Sequence, residues 1–159
     1  MNDESMQNAI NQLSATPTLL RNLLIALDPV KLRTKPAPGL FSPLEDAWHL
    51  RDIEMEGYRV RIQRMLTEQL PVLKDLDGDQ MAVARRYNEL ELAPALEGFT
   101  SARTESIGLL EGLPSSAWAR CAQFASRTIS LRELIEMMVE HDRGHLSSIR
   151  GVFVASVAA

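Results

Sequence analysis

The sequence predicts an all-α domain built as a four-helix bundle, and three observations carry that expectation. Apolar residues recur at three- and four-residue spacings along four long stretches, the period of a helix that buries one face. Two of those stretches open on capping boxes, Ser42 with Glu45 and Ser130 with Glu133, each a reciprocal pair that satisfies two orphan helix amides. Aromatic residues make up only 5% of the 159-residue chain, and few segments alternate with the period of a strand.

The first helix is expected over residues 4–27, with Ile10, Leu13, Leu20, Leu23, Leu24 and Leu27 inward and Pro17 restarting or kinking it. "DPVKLRTKPAPGLF" (28–41), with three of the eight prolines, reads as a loop. Helix two begins at the Ser42 cap with Pro43 at its first position, and runs to about 69 before Pro71. Its stripe places Trp48, Met55 and Ile62 at seven-residue intervals, flanked by Leu44, Tyr58 and Met65. A short helix is expected over 80–87. The third long helix starts near Pro94, buries Leu96, Phe99, Ile107 and Leu110, and stops at Gly112 and Pro114. The fourth follows Ser130, with an inward stripe of Leu131, Leu134, Met138, His141, His145 and Ile149. No internal repeat or low-complexity segment divides the chain, so residues 1–159 read as a single domain.

Charge and composition exclude several functions. A net charge of −4 and a pI near 5.4 give phosphate backbones little to bind, so no nucleic-acid partner is expected. The lone Cys121 has no partner for an internal disulfide, which fits a reducing compartment. "MNDESMQNAI" lacks the basic and apolar regions of a signal peptide. No apolar run reaches the roughly 20 residues of a membrane span. A cytoplasmic protein with no membrane partner is the expectation.

Two of the three histidines stand four residues apart in "VEHDRGHLSSIR" (139–150). At 100° per residue, positions 134, 138, 141, 145 and 149 fall within an arc of roughly 80°, which puts both imidazoles on the inward stripe. A polar ring buried without a partner costs about 1–3 kcal/mol, so each needs something to bind. Such a pair is often two hydrogen-bonded side chains at a bundle end. It is also close enough to share one metal ion. His49, in "EDAWHLRDIE" near the start of helix two, joins the pair if helices two and four run antiparallel. Three neutral imidazoles would then hold a divalent ion and leave its other positions open.

The chain resembles the DinB-like (DinB/YfiT-like) family of metalloenzymes. The resemblance rests on "FSPLEDAWHLRDIE" (41–54), "ARRY" before the third helix, "SARTESIGLLEGLPSSAW" (101–118) and "TISLRELIEMMVEHDRGHLSSIR" (128–150), and so spans nearly the whole chain. It implies a four-helix bundle with a divalent metal held by His49, His141 and His145, all three present as histidine. It further implies a thiol-dependent transferase or isomerase using a low-molecular-weight thiol such as bacillithiol, mycothiol or glutathione. Despite the family's name, it implies no DNA chemistry.

Neutral ligands leave a divalent ion its full charge, so that it lowers the pKa of a bound water or thiol. The resulting expectation is a metal-dependent S-transferase acting on a small-molecule substrate, with a hydrolase as the less favoured chemistry on the same ligands. Zn, Ni and Fe all suit the donor set. The alternatives are a metal- or ligand-binding bundle without turnover, and a structural bundle with satisfied core histidines. Among other polar residues, Asp142 either orients a ligand or pairs with Arg143. Glu45, Asp46 and Asp52 either tune His49 or form a solvated acidic face. Arg103 meets an anionic substrate or pairs with Glu105 or Glu133, and Tyr87 donates to a substrate or packs under a loop. Cys121 is expected to pack as a small apolar group. Gly144 and the tail "VFVASVAA" suit close packing, a homodimer contact included.

Overall fold

The computed structural model describes residues 3–158; Met1 and Asn2 of the polar start and Ala159 of the apolar tail lie outside them. Four bundle helices dominate. They are α1 (Asp3–Leu24), a second helix composed of α3 (Pro43–Asp52), a π-helical segment (Ile53–Tyr58) and α4 (Arg59–Thr67), then α6 (Leu92–Leu110) and α7 (Leu131–Ala158). Both expected capping boxes form. Ser42 Oγ accepts from the Glu45 amide at 3.2 Å while Glu45 Oε2 accepts from the Ser42 amide at 2.8 Å, and Ser130 and Glu133 repeat the arrangement at the start of α7.

Four expectations need correction. The proline-rich segment is not all loop: Asp28 caps a five-residue helix, α2 (Pro29–Arg33), accepting from the Val30 and Lys31 amides. The short helix predicted over 80–87 comes earlier, as α5 (Gly78–Ala84) capped by Asp77, and Tyr87 belongs to a separate 3-10 turn, Tyr87–Glu89. A small sheet also forms in the order β1 (Val72–Leu73), β2 (Cys121–Phe124), β3 (Arg127–Ser130), parallel then antiparallel. Segments this short carry too little alternation to register as strands. Cys121, at the start of β2, is exposed, contrary to its expected packing.

The π segment breaks the heptad register read along helix two. Ile53, Tyr58, Ile62 and Met65 share one core cluster, in steps of five, four and three residues, and Met55 is only half-buried. The five-residue step is the extra residue of an i→i+5 turn. Pro17 lies inside α1 without ending it. A proline there deprives the carbonyl four residues back of its donor, and that carbonyl, Leu13 O, accepts from Arg103 Nη1 at 2.9 Å instead.

The core divides along the bundle axis. One cluster gathers Met6 to Leu13 of α1, Ile53 to Met65, the end of α6 and Leu131 to Met138; the other gathers Leu20 and Leu24, Leu44 to Leu50, Ala95 to Phe99, Leu146 and Ile149. The helices α1 and α7 therefore run from the first cluster to the second, and the second helix and α6 run back. Helix two is antiparallel to α7, as the convergence of the histidines requires.

A buried ionic layer separates the two clusters. Arg103 of α6 binds Asp142 Oδ2 at 2.6 Å and Glu54 Oε2 at 2.9 Å. Thr16 of α1 donates to the same Asp142 oxygen at 2.6 Å, and Ser106 donates to Glu54. All four bundle helices contribute, and Arg103, Glu54 and Asp142 are each at most 3% exposed. Asp142 is thus neither a partner of Arg143 nor a surface residue. It occupies the centre of the inward face of α7, in the series Leu131, Ile135, Met138, Asp142, Leu146, Ile149. No helix among the described residues is long and apolar enough to cross a membrane.

Candidate metal centre

The antiparallel pairing of helix two with α7 brings His49, His141 and His145 together. One nitrogen from each ring lies within 4.8 Å of the other two, and the ring centroids are 4.6–5.1 Å apart. The His49 and His141 Nε2 atoms face each other at 3.0 Å. That is the separation of two nitrogens each about 2.1 Å from a common ion and roughly a right angle apart. Because Asp142 takes the centre of the α7 face, His141 and His145 sit at its edge, half-buried beside solvent.

Electrostatics favour neutral imidazoles. Burial is the main cause that lowers His49 to about 3 and His141 to about 2, so both rings keep a lone pair available at neutral pH. His145 donates its Nδ1–H to Asp46 Oδ1 at 2.6 Å, which leaves its Nε2 free for a cation. Burial raises the Asp46 carboxyl above its ordinary value, with the His145 bond pulling the other way. Asp46 is therefore neither part of a solvated acidic face nor a partner of His49, the two roles its spacing left open; it is buried and serves His145.

Two residues that sequence reasoning did not single out shape the centre. Phe41 stacks on His145 at 6.3 Å between centroids and lies tilted on His49 at 5.2 Å. Gly78, the first residue of α5, passes so close to His49 that a Cβ there would stand 2.3 Å from Cε1. The only local signal for Gly78 was its place after the Asp77 cap. His49 Nδ1 is buried under this turn without a hydrogen-bond partner.

The remaining polar candidates are engaged elsewhere. Arg103 belongs to the ionic layer, not to a substrate site or a pair with Glu105 or Glu133. Tyr87 is buried and donates to Asp52 Oδ2 at 2.7 Å, where Arg85 also binds. Glu45 is spent on its capping box. A cleft of about 430 Å³ opens over His141 and His145, with Phe41, Asp46 and Gly144 in its wall. A second, of about 640 Å³, reaches His141 from the side of Tyr58. Gly144 has open space around it, so its missing side chain widens the first cleft.

Comparison with known proteins agrees with this architecture. The DinB superfamily model matches residues 12–149. A protein of Oceanobacillus iheyensis named as a presumed metal-dependent hydrolase is 28% identical over 141 residues, covering 88% of this chain and 81% of its own. The solved structure of YfiT from Bacillus subtilis, described as a probable metal-dependent hydrolase with an unusual four-helix bundle topology, superimposes with a TM-score of 0.89 at 19% identity. That match covers 96% of this chain and 87% of YfiT.

Proposed function

Because the chain belongs to the DinB superfamily, we propose that it is a metal-dependent enzyme whose divalent ion is held by His49, His141 and His145, and that it transfers a thiol to a small electrophilic substrate. The observation that carries the reading is the 3.0 Å approach of the His49 and His141 Nε2 atoms, which desolvation keeps unprotonated. Without a shared cation, one of them must donate to the other at the cost of a fixed tautomer. A divalent ion bound there would supply Lewis acidity, lowering the pKa of a coordinated thiol or water.

The protein's own groups set the rest. Asp46 orients His145, Phe41 shields the rings from water, and the cleft above them holds a cosubstrate larger than a water molecule. A water nucleophile profits from a free carboxylate as base. Of the carboxylates in the cleft wall, Asp46 is committed to His145 and Glu140 is paired with Arg143, which leaves Asp79 for that role, whereas a thiol on the ion needs no base. Hydrolysis is the second reading, favoured by the names of the two similar proteins.

Elemental analysis of protein purified without tag or chelator tests the proposal. About one equivalent of divalent metal, lost in His49→Ala and His145→Ala, supports it, and a chelator should then lower the melting temperature. Thiol consumption with an electrophile panel, set against hydrolysis of an ester panel, separates the two chemistries. Wild type that takes up no metal even on reconstitution sinks both.

A further inference from the structure

Tyr58 stands where an unbroken α-helix would not put it. Nine residues at 100° each would turn it about 180° from His49, onto the opposite face of helix two. The π segment Ile53–Tyr58 absorbs one residue of that rotation and reduces the offset to about 80°. The phenol ring consequently packs on His141, with 5.6 Å between centroids. Gly57, beside it, lets Leu76 approach to 3.3 Å of where a Cβ would be.

The side chain is 6% exposed, and Arg61 lies over its ring at 5.5 Å. Among the described residues its hydroxyl has no hydrogen-bond partner, although the other buried tyrosine, Tyr87, is bonded to Asp52. Tyr58 lines the second cleft with His141, Met137, Arg127 and three glutamates, Glu133, Glu136 and Glu140. A π turn costs helix regularity, and such turns recur where a side chain must be re-aimed at a functional site.

We propose that Tyr58 is a catalytic residue, the hydrogen-bond donor to the substrate atom presented at the three-histidine centre, delivered there by the π segment. The inference rests on the reading of that centre as a metal site. In this role the hydroxyl donates to negative charge on the reacting sulfur or oxygen, and Arg127 in the cleft wall is paired with Glu133.

The test uses the full chain loaded with cobalt(II) and titrated with azide, a small anion whose binding is read from the visible spectrum. Tyr58→Phe retains the ring against His141, so the fold and the cobalt stoichiometry should match wild type while azide affinity falls about tenfold, the loss of one hydrogen bond to a charged ligand. Tyr87→Phe, whose hydroxyl serves Asp52, should leave azide affinity unchanged. Equal azide affinity in wild type and Tyr58→Phe, with cobalt bound in both, overturns the proposal. A Tyr58→Phe protein that loses cobalt overturns it as well, because the hydroxyl would then support the centre and not the ligand. Failure of wild type to take up cobalt would defeat the metal reading itself, a separate and recognisable result.

Discussion

His145 on α7 and Asp46 on α3 are joined across the bundle by a 2.6 Å bond from Nδ1 to Oδ1. The carboxylate is 2% exposed and lies one turn before His49 on the same helix, so a single helix supplies one ring of the centre and the support for another. The bond fixes the tautomer of His145 and turns its Nε2 toward the other two rings.

Asp46→Ala should therefore weaken metal binding about 10- to 100-fold while leaving the ion stoichiometry at saturation unchanged. Competition against a chromophoric chelator measures this. Undiminished affinity would mean that His145 is oriented by packing on Phe41 instead.

Gly78→Ala should damage the centre from outside it. The new methyl would overlap the His49 ring, at 2.3 Å from Cε1 and 2.7 Å from Nδ1, and the ring has Phe41 tilted against it. His49 must turn or α5 must move. The expected outcome is loss of metal uptake, with a helical circular-dichroism spectrum like that of wild type, because α5 is a peripheral seven-residue helix. Full metal uptake would show that α5 yields easily.

Arg103→Met should destabilise the fold by about 3–5 kcal/mol in urea denaturation, because it strands Glu54 and Asp142 as buried charges without a counter-ion. It also removes the donor to Leu13 O, the carbonyl bared by Pro17. The triple change Arg103→Met, Glu54→Gln, Asp142→Asn should recover part of that loss. A single variant as stable as wild type would show that water enters the layer.

Acid should destabilise the metal-free protein before its surface carboxylates titrate. His49 and His141 are held near 3 and 2 in the fold, below the ordinary 6.5, so as pH falls the unfolded chain takes up protons first. The stability they contribute is complete above about pH 6.5 and drains away as pH falls toward 3. Between pH 6.5 and 5 each ring accounts for about 1–2 kcal/mol. Urea midpoints over that range should fall steeply in wild type and less in His141→Gln; parallel slopes would refute the assignment.

Much of this was legible in the chain. The capping boxes at Ser42 and Ser130 are local devices whose partners lie three residues apart, and both formed at the residues read. The spacing of His141 and His145 placed two rings on the inward stripe of one helix, antiparallel helices brought His49 to them, and the resemblance implied all three as ligands. The meeting of all three is observed. The π segment was hidden because a single extra residue in a turn leaves the apolar composition of helix two unaltered, yet it moves Met55 to half-burial and turns Tyr58 toward the histidines.

What the sequence determined by itself are the features whose physics is local: helix starts, apolar period, the acidic balance and the pair of histidines on one face. Only the tertiary structure decided which charges are buried and with whom. Asp142 reads as one acidic residue between His141 and Arg143, and it lies inside because Arg103, Glu54 and Thr16, contributed by the other three helices of the bundle, converge on one level of the core. Desolvating that carboxylate is tolerable only when its counter-charge is already there, and no spacing along one helix specifies a partner 39 residues away.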